Sequence, residues 1–149
     1  MPLWLIHHPP ATFDNQESKA AFAADITELY TNLGLPAFYV VVKFIPTEVS
    51  NLFVGGEPRT NKPFIRIVID HIAVHMDDSA KTHQQATSRV DDVLKRHIAE
   101  KGYDWEYHID ETPRGLWKVN GLIPPPYKSE DEKKWVQANA PLEWEGGRL

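Results

Sequence analysis

Two stretches of helical periodicity, each bracketed by apolar runs, constrain this chain more than any other feature. The first lies between LWLIH (residues 3–7) and FYVVVKF (38–44), the second between FIRIVID (64–70) and WEYHID (105–110). Each apolar run is short and rich in β-branched or aromatic residues, as strands are. A helical connection of a dozen or more residues lets the strands it joins lie parallel, with a right-handed crossover. The chain therefore reads β-α-β, loop, β-α-β. It predicts an α+β subunit with one four-stranded sheet, two helices on one face and a C-terminal arm.

Local signals place the boundaries. Asp14 with Glu17 reads as an acidic capping box, and Phe13 is placed to staple the helix start. Phe22, Ile26, Leu29 and Leu33 form the inward stripe, and Gly34 followed by Pro36 ends the helix. Asp77, Asp78 and Ser79 open the second helix. Ala86, Val90, Val93, Leu94 and Ile98 carry its buried side, and Gly102 closes it. The 149 residues are expected to form one domain: a first unit with its loop over 1–60, a second over 61–111 and the arm over 112–149. The arm holds three of the five tryptophans, Trp117, Trp135 and Trp144. A disordered tail has little use for them, so the arm is expected to dock on its own sheet or a neighbour's. The sheet face away from the helices is expected to be covered by other subunits.

Composition excludes several classes. A net charge of -5 argues against a nucleic-acid partner, which needs a basic face. With no cysteine there is no thiolate chemistry and no disulfide. No segment approaches the roughly 20 apolar residues of a membrane helix, and the short run Leu3–Ile6 is no signal-peptide core. A soluble, cytoplasmic protein without a membrane partner is the expectation. Seven histidines raise the question of a metal. His7 and His8 point to opposite faces of a strand, and His71 and His75 chelate together only on a helix, whereas DHIAVH reads as a continuing strand. No metal site is expected.

The ordered set of Pro2 heading a first strand, ITELYTNL, NLFVGG, RVDDV, the W-x-Y strand leading to Glu111, and Gly121 before a proline run resembles the tautomerase superfamily. Within it, the chain is similar to the cis-3-chloroacrylic acid dehalogenase group and its fungal-type relatives. The resemblance covers most of the chain up to about Trp135. It implies a cofactor-free homotrimer of β-α-β-β-α-β subunits acting on a small acid, with a proline amine exposed by loss of Met1 doing the chemistry. An α-amino group titrates at about 7.7–8.0, and burial among apolar residues lowers it. The neutral amine can then accept a proton beside a carbonyl, and its cation can deliver one.

The other family positions carry over with changes. Tyr30 stands where the dehalogenases have a histidine and could hold a carbonyl or water. DHIAVHMDD replaces the stretch that holds their carboxylate-binding arginines, which leaves His71 or Arg66 for that task and argues against dehalogenation of a halo-acid. Tyr107 matches the fourth-strand tyrosine. Val119 and Asn120 fall where the water-activating glutamate belongs. Glu111 is a candidate replacement, Asn120 could orient a carbonyl or water, and Trp117 could wall the pocket. The expected catalytic set is thus Pro2, Tyr30, Tyr107 and Glu111, with His71, Arg66, Trp117 and Asn120 binding substrate. The alternative is a non-catalytic member of the fold that binds a small aromatic or apolar ligand.

Overall fold

A computed structural model describes residues 1–148. Its main sheet holds β1 (Pro2–His8), β2 (Val41–Pro46), β5 (Phe64–His71) and β6 (Asp104–Glu111). The two-residue strands β3 (Phe53–Val54) and β4 (Glu57–Pro58) make a separate hairpin. The sheet order is β2-β1-β5-β6. β1 runs parallel to β2 and β5 parallel to β6, while β1 and β5 meet antiparallel at the centre. Two β-α-β units with parallel strands form one sheet, as the sequence pattern predicts, and meet through their first strands.

Helices α1 (Gln16–Thr31) and α2 (Ala80–His97) cross one face. Side chains alternate along each strand, so Trp4 and Ile6 of β1 share that face with Ile65, Ile67 and Ile69 of β5. They are fully buried beneath Phe22, Ile26 and Tyr30 of α1 and Val90 and Leu94 of α2. Asp25 stitches the helices together, taking Arg96 at 2.6 Å and His97 at 2.7 Å, while the His97 ring stacks on Phe22 at 4.6 Å.

Several boundaries differ from the sequence reading. The side chain capping α1 is Asn15, whose Oδ1 accepts the Ser18 N–H at 2.8 Å, and not Asp14. Leu33 leaves the inward stripe, because α1 ends at Thr31 and Gly34 turns the chain with φ +88°. The run FYVVVKF is strand only from Val41. Residues Ala37–Tyr39 form a 3-10 turn closed by the Tyr39 N–H to Pro36 O at 3.0 Å, which drops the Tyr39 ring between Trp117 and Trp135. DHIAVH does not continue as strand past His71. Arg114 draws the Ala73 carbonyl away, and the Glu111 carboxylate takes the Met76 N–H at 2.7 Å.

The arm packs on its own subunit. Trp117, Leu122 and Trp135 join the core, the last from α3 (Glu130–Ala138), and the Trp144 indole donates to Ile123 O at 2.7 Å. The far face of the sheet carries half-buried Leu3, Leu5, Val41, Ile45 and Val68 between the polar Lys43, Arg66 and Asp70. Among the described residues no helix is long and apolar enough to cross a membrane.

Candidate active site

The antiparallel seam between β1 and β5 fixes the centre of the site. Pro2 lies directly across from His71, and the alternation that points Trp4 and Ile69 toward the helices points these two the same way. Tyr30 comes down from the last turn of α1. Its hydroxyl accepts the Trp4 indole N–H at 2.9 Å and lies 2.8 Å from His71 Nε2. The tyrosine hydrogen is satisfied when it donates to Nε2, which places the imidazole proton on Nδ1. Pro2, Tyr30 and His71 line one cavity of about 230 Å³.

The rest of that cavity is mostly aliphatic, from α1, α2 and the 72–76 loop, with Leu29 and Val90 typical. The exceptions are Tyr127, whose hydroxyl is tied to Leu33 O at 2.7 Å, and Arg89 on α2. Arg89 is exposed, and among the described residues the arginines in ion pairs are Arg66, Arg96 and Arg148, so its guanidinium remains available.

Low polarity governs the titration of this cluster. Burial pushes His71 down from 6.5 to about 4, against the pull of the nearby Glu111 carboxylate, so the ring is neutral at pH 7. Burial raises Tyr30 well above the usual phenol range, which keeps its hydroxyl protonated. The amino group of Met1 is itself buried and falls to about 4, first through burial and then through the Arg114 charge.

The other sequence candidates lie elsewhere. Tyr107 faces α2, where it donates to Asp91 Oδ1 at 2.9 Å; burial and that carboxylate raise its pKa. Asp91 thereby ties the Tyr107 hydroxyl to α2. Arg66 lies on the opposite face of the sheet, engaged with Glu106 and His108. Glu111 is level with His71 in the β5–β6 register, but its oxygens go to Met76 N and, at 3.5 Å, His75. Trp117 is 5 % exposed, packed edge-on to Tyr39 at 4.8 Å and covered by Arg114 at 5.4 Å. Asn120 is exposed in the Val119–Leu122 turn with φ +50°. Within this single chain, then, the fold gathers three of the eight candidates.

Sequence reasoning missed Arg89, Arg114 and Glu132. Arg89 sits inside RVDDV, where helical spacing alone does not separate a rim position from solvent. Glu132 did carry a signal, since Ser129-x-x-Glu132 is a capping-box pattern; Ser129 Oγ accepts the Glu132 N–H at 3.1 Å. Among the described residues no group of three or more His, Asp or Glu side chains is placed to hold a metal ion.

Comparison with known proteins identifies the family and the fold. The profile of the family Tautomerase_3, described as "Putative oxalocrotonate tautomerase enzyme", matches residues 1–140. Native RhCC from Rhodococcus jostii RHA1 is 39% identical over 95% of this chain and 99% of its own, with a TM-score of 0.90. A probable enzyme from the thermophilic fungus Aspergillus fumigatus is 44% identical over 97% and 98% of the two chains, with a TM-score of 0.87. A member of the cis-3-chloroacrylic acid dehalogenase family is 21% identical over 92% and 97%, with a TM-score of 0.61, and shares the fold. No curated protein matches.

Proposed function

Because the chain belongs to the Tautomerase_3 family, we propose that it is a cofactor-independent tautomerase or hydratase-type enzyme acting on a small unsaturated or keto acid through an amino-terminal Pro2. The observation that carries this reading is the cavity itself, in which Pro2, Tyr30 and His71 meet behind aliphatic walls. Removal of Met1 turns the Pro2 nitrogen from an amide into a secondary amine. The setting that lowers the Met1 amine to about 4 also favours a neutral Pro2, and a neutral amine is a base. In a tautomerisation the Pro2 nitrogen takes the proton beside a carbonyl and, as the cation, returns it to the enolate oxygen; the reverse runs the same steps.

The remaining groups have roles that match their chemistry. Protonated Tyr30 supplies a hydrogen bond to the substrate oxygen and neutral His71 orients it. Arg89 at the rim offers a guanidinium to the carboxylate, a task the missing arginines of the 71–79 segment leave open. Tyr107, Glu111, Arg66 and Asn120 reach a site only if a neighbouring copy presents them, while Trp117 stays in the core of its own subunit. The half-apolar far face of the sheet supports assembly, with three copies as the proposed number.

The test is direct. Intact-protein mass should show loss of Met1, and the enol of phenylpyruvate or 2-hydroxymuconate should ketonise faster with the protein than without. Pro2→Ala should lower kcat/KM by about a hundredfold or more. Equal rates for variant and parent remove Pro2 from the chemistry and leave a ligand-binding member of the fold.

A further inference from the structure

A second polar cluster, separate from the Tyr30–His71 pair, lies within electrostatic reach of the amino terminus. Glu132, on the first turn of α3, is 1 % exposed. One of its oxygens accepts the Lys128 N–H at 2.6 Å, which accounts for its place in the helix cap. The other, Oε1, is buried with no hydrogen-bond partner among the described residues. Tyr39, 1 % exposed, also has a buried hydroxyl without a well-formed hydrogen bond, and Arg114 stands beside it. Arg114 spends its own donors on the carbonyls of Ala73, Pro124 and Pro125. Glu132, Arg114 and the terminal amine are all within electrostatic reach of one another. Buried carboxylate oxygens seldom go unpaired, so an orphan aimed at this region calls for a partner.

Resting on the reading of Pro2 as a free amine, we propose that Glu132 is the counter-ion of the prolinium formed in turnover. Met1 packs against the core and its amine is within electrostatic reach of Glu132 and Arg114, so its removal leaves the adjoining Pro2 nitrogen as the terminal amine beside them. When Pro2 takes a proton from substrate, its N–H gains a carboxylate partner in a setting that otherwise penalises charge. The charged and titratable groups around the nitrogen are His71 of β5 and Tyr30 of α1 on the substrate side. The second group is Arg114 of the turn after β6, Tyr39 of the turn before β2 and Glu132 of α3. Of these, Glu132 is the group whose anion holds the added proton. It is a positioning residue, acting through Pro2.

Glu132→Gln tests this, since the amide keeps an oxygen for the Lys128 N–H. In the full chain labelled with 15N-proline, Pro2 is the one proline nitrogen that titrates. Its midpoint should fall by at least one unit in Glu132→Gln, the acid limb of the kcat/KM profile should move down with it, and kcat should drop about tenfold at unchanged KM. Glu132→Asp, which keeps the anion, should lie between variant and parent. An unmoved midpoint in both variants, with only a lower melting temperature, reduces Glu132 to a helix cap and overturns the proposal. A parent in which Met1 is retained overturns both this inference and the reading beneath it. A Pro2→Ala variant of full activity overturns the catalytic reading and the turnover role of Glu132 with it, whereas an inactive Pro2→Ala beside an unmoved midpoint overturns this inference alone.

Discussion

At the residue scale, the site is a set of ordinary side chains given unusual protonation states by their surroundings. His71 loses its charge because it is buried, and that has a consequence for stability that can be separated from catalysis. Its folded pKa, about 4, lies below the unfolded value of 6.5. Between those values the unfolded chain binds the extra proton, so stability is full above pH 6.5 and declines as pH falls toward 4. His71→Gln removes that contribution. The parent should therefore lose more melting temperature than His71→Gln between pH 7 and pH 4, measured by calorimetry in the same buffers; parallel curves would contradict the buried neutral imidazole. Arg89 is the complementary case, a charge left free. Arg89→Leu should raise KM for a keto acid about tenfold or more with little change in kcat, as expected for loss of a charge-assisted contact made equally in ground and transition states. Arg89→Lys should recover part of the loss.

At the scale of elements, β1 and β5 were legible as short apolar runs rich in β-branched or aromatic residues, and α1 by the helical spacing of Phe22, Ile26 and Tyr30. What was not legible depended on partners distant in sequence. Tyr39 leaves the strand for an aromatic slot made by Trp117 and Trp135, which belong to the arm far along the chain. Glu111 looks free in sequence and is occupied by the Met76 backbone. Pro2, Tyr30 and His71 could be named beforehand because the resemblance to the tautomerase superfamily points to their positions, and strand and helix phase carry them inward. Arg89 and Arg114 have no phase to read, and the capping-box spacing of Glu132 marks a helix start and not a site. The α1–α2 seam provides a test of element packing away from the cavity. Asp25→Ala strips the carboxylate from Arg96 and leaves His97 without its partner. It should cost about 1–2 kcal/mol, a fall of roughly 2–8 °C in melting temperature, with the KM of the reaction unchanged.

At the scale of the molecule, the sheet is finished on one side and unfinished on the other. Helices seal the Trp4 face, while Leu5 and Val68 stand half-buried on the far face beside Lys43 and Asp70. If three copies pack through that face, Leu5→Arg should yield a monomer by light scattering while the far-UV spectrum stays folded; a parent that is itself monomeric ends the trimer proposal. The position of the first strand bears on how the protein is handled. β1 is an inner strand, hydrogen-bonded on both edges, and its leading residue is already buried. Any peptide fused ahead of Pro2 must thread out through the wall that closes the pocket. On the proposed mechanism, an affinity handle at that end keeps the proline nitrogen acylated, so a preparation tagged there should be folded yet inert. Purification handles belong at the other terminus, and the tagged version is best kept as a built-in blank.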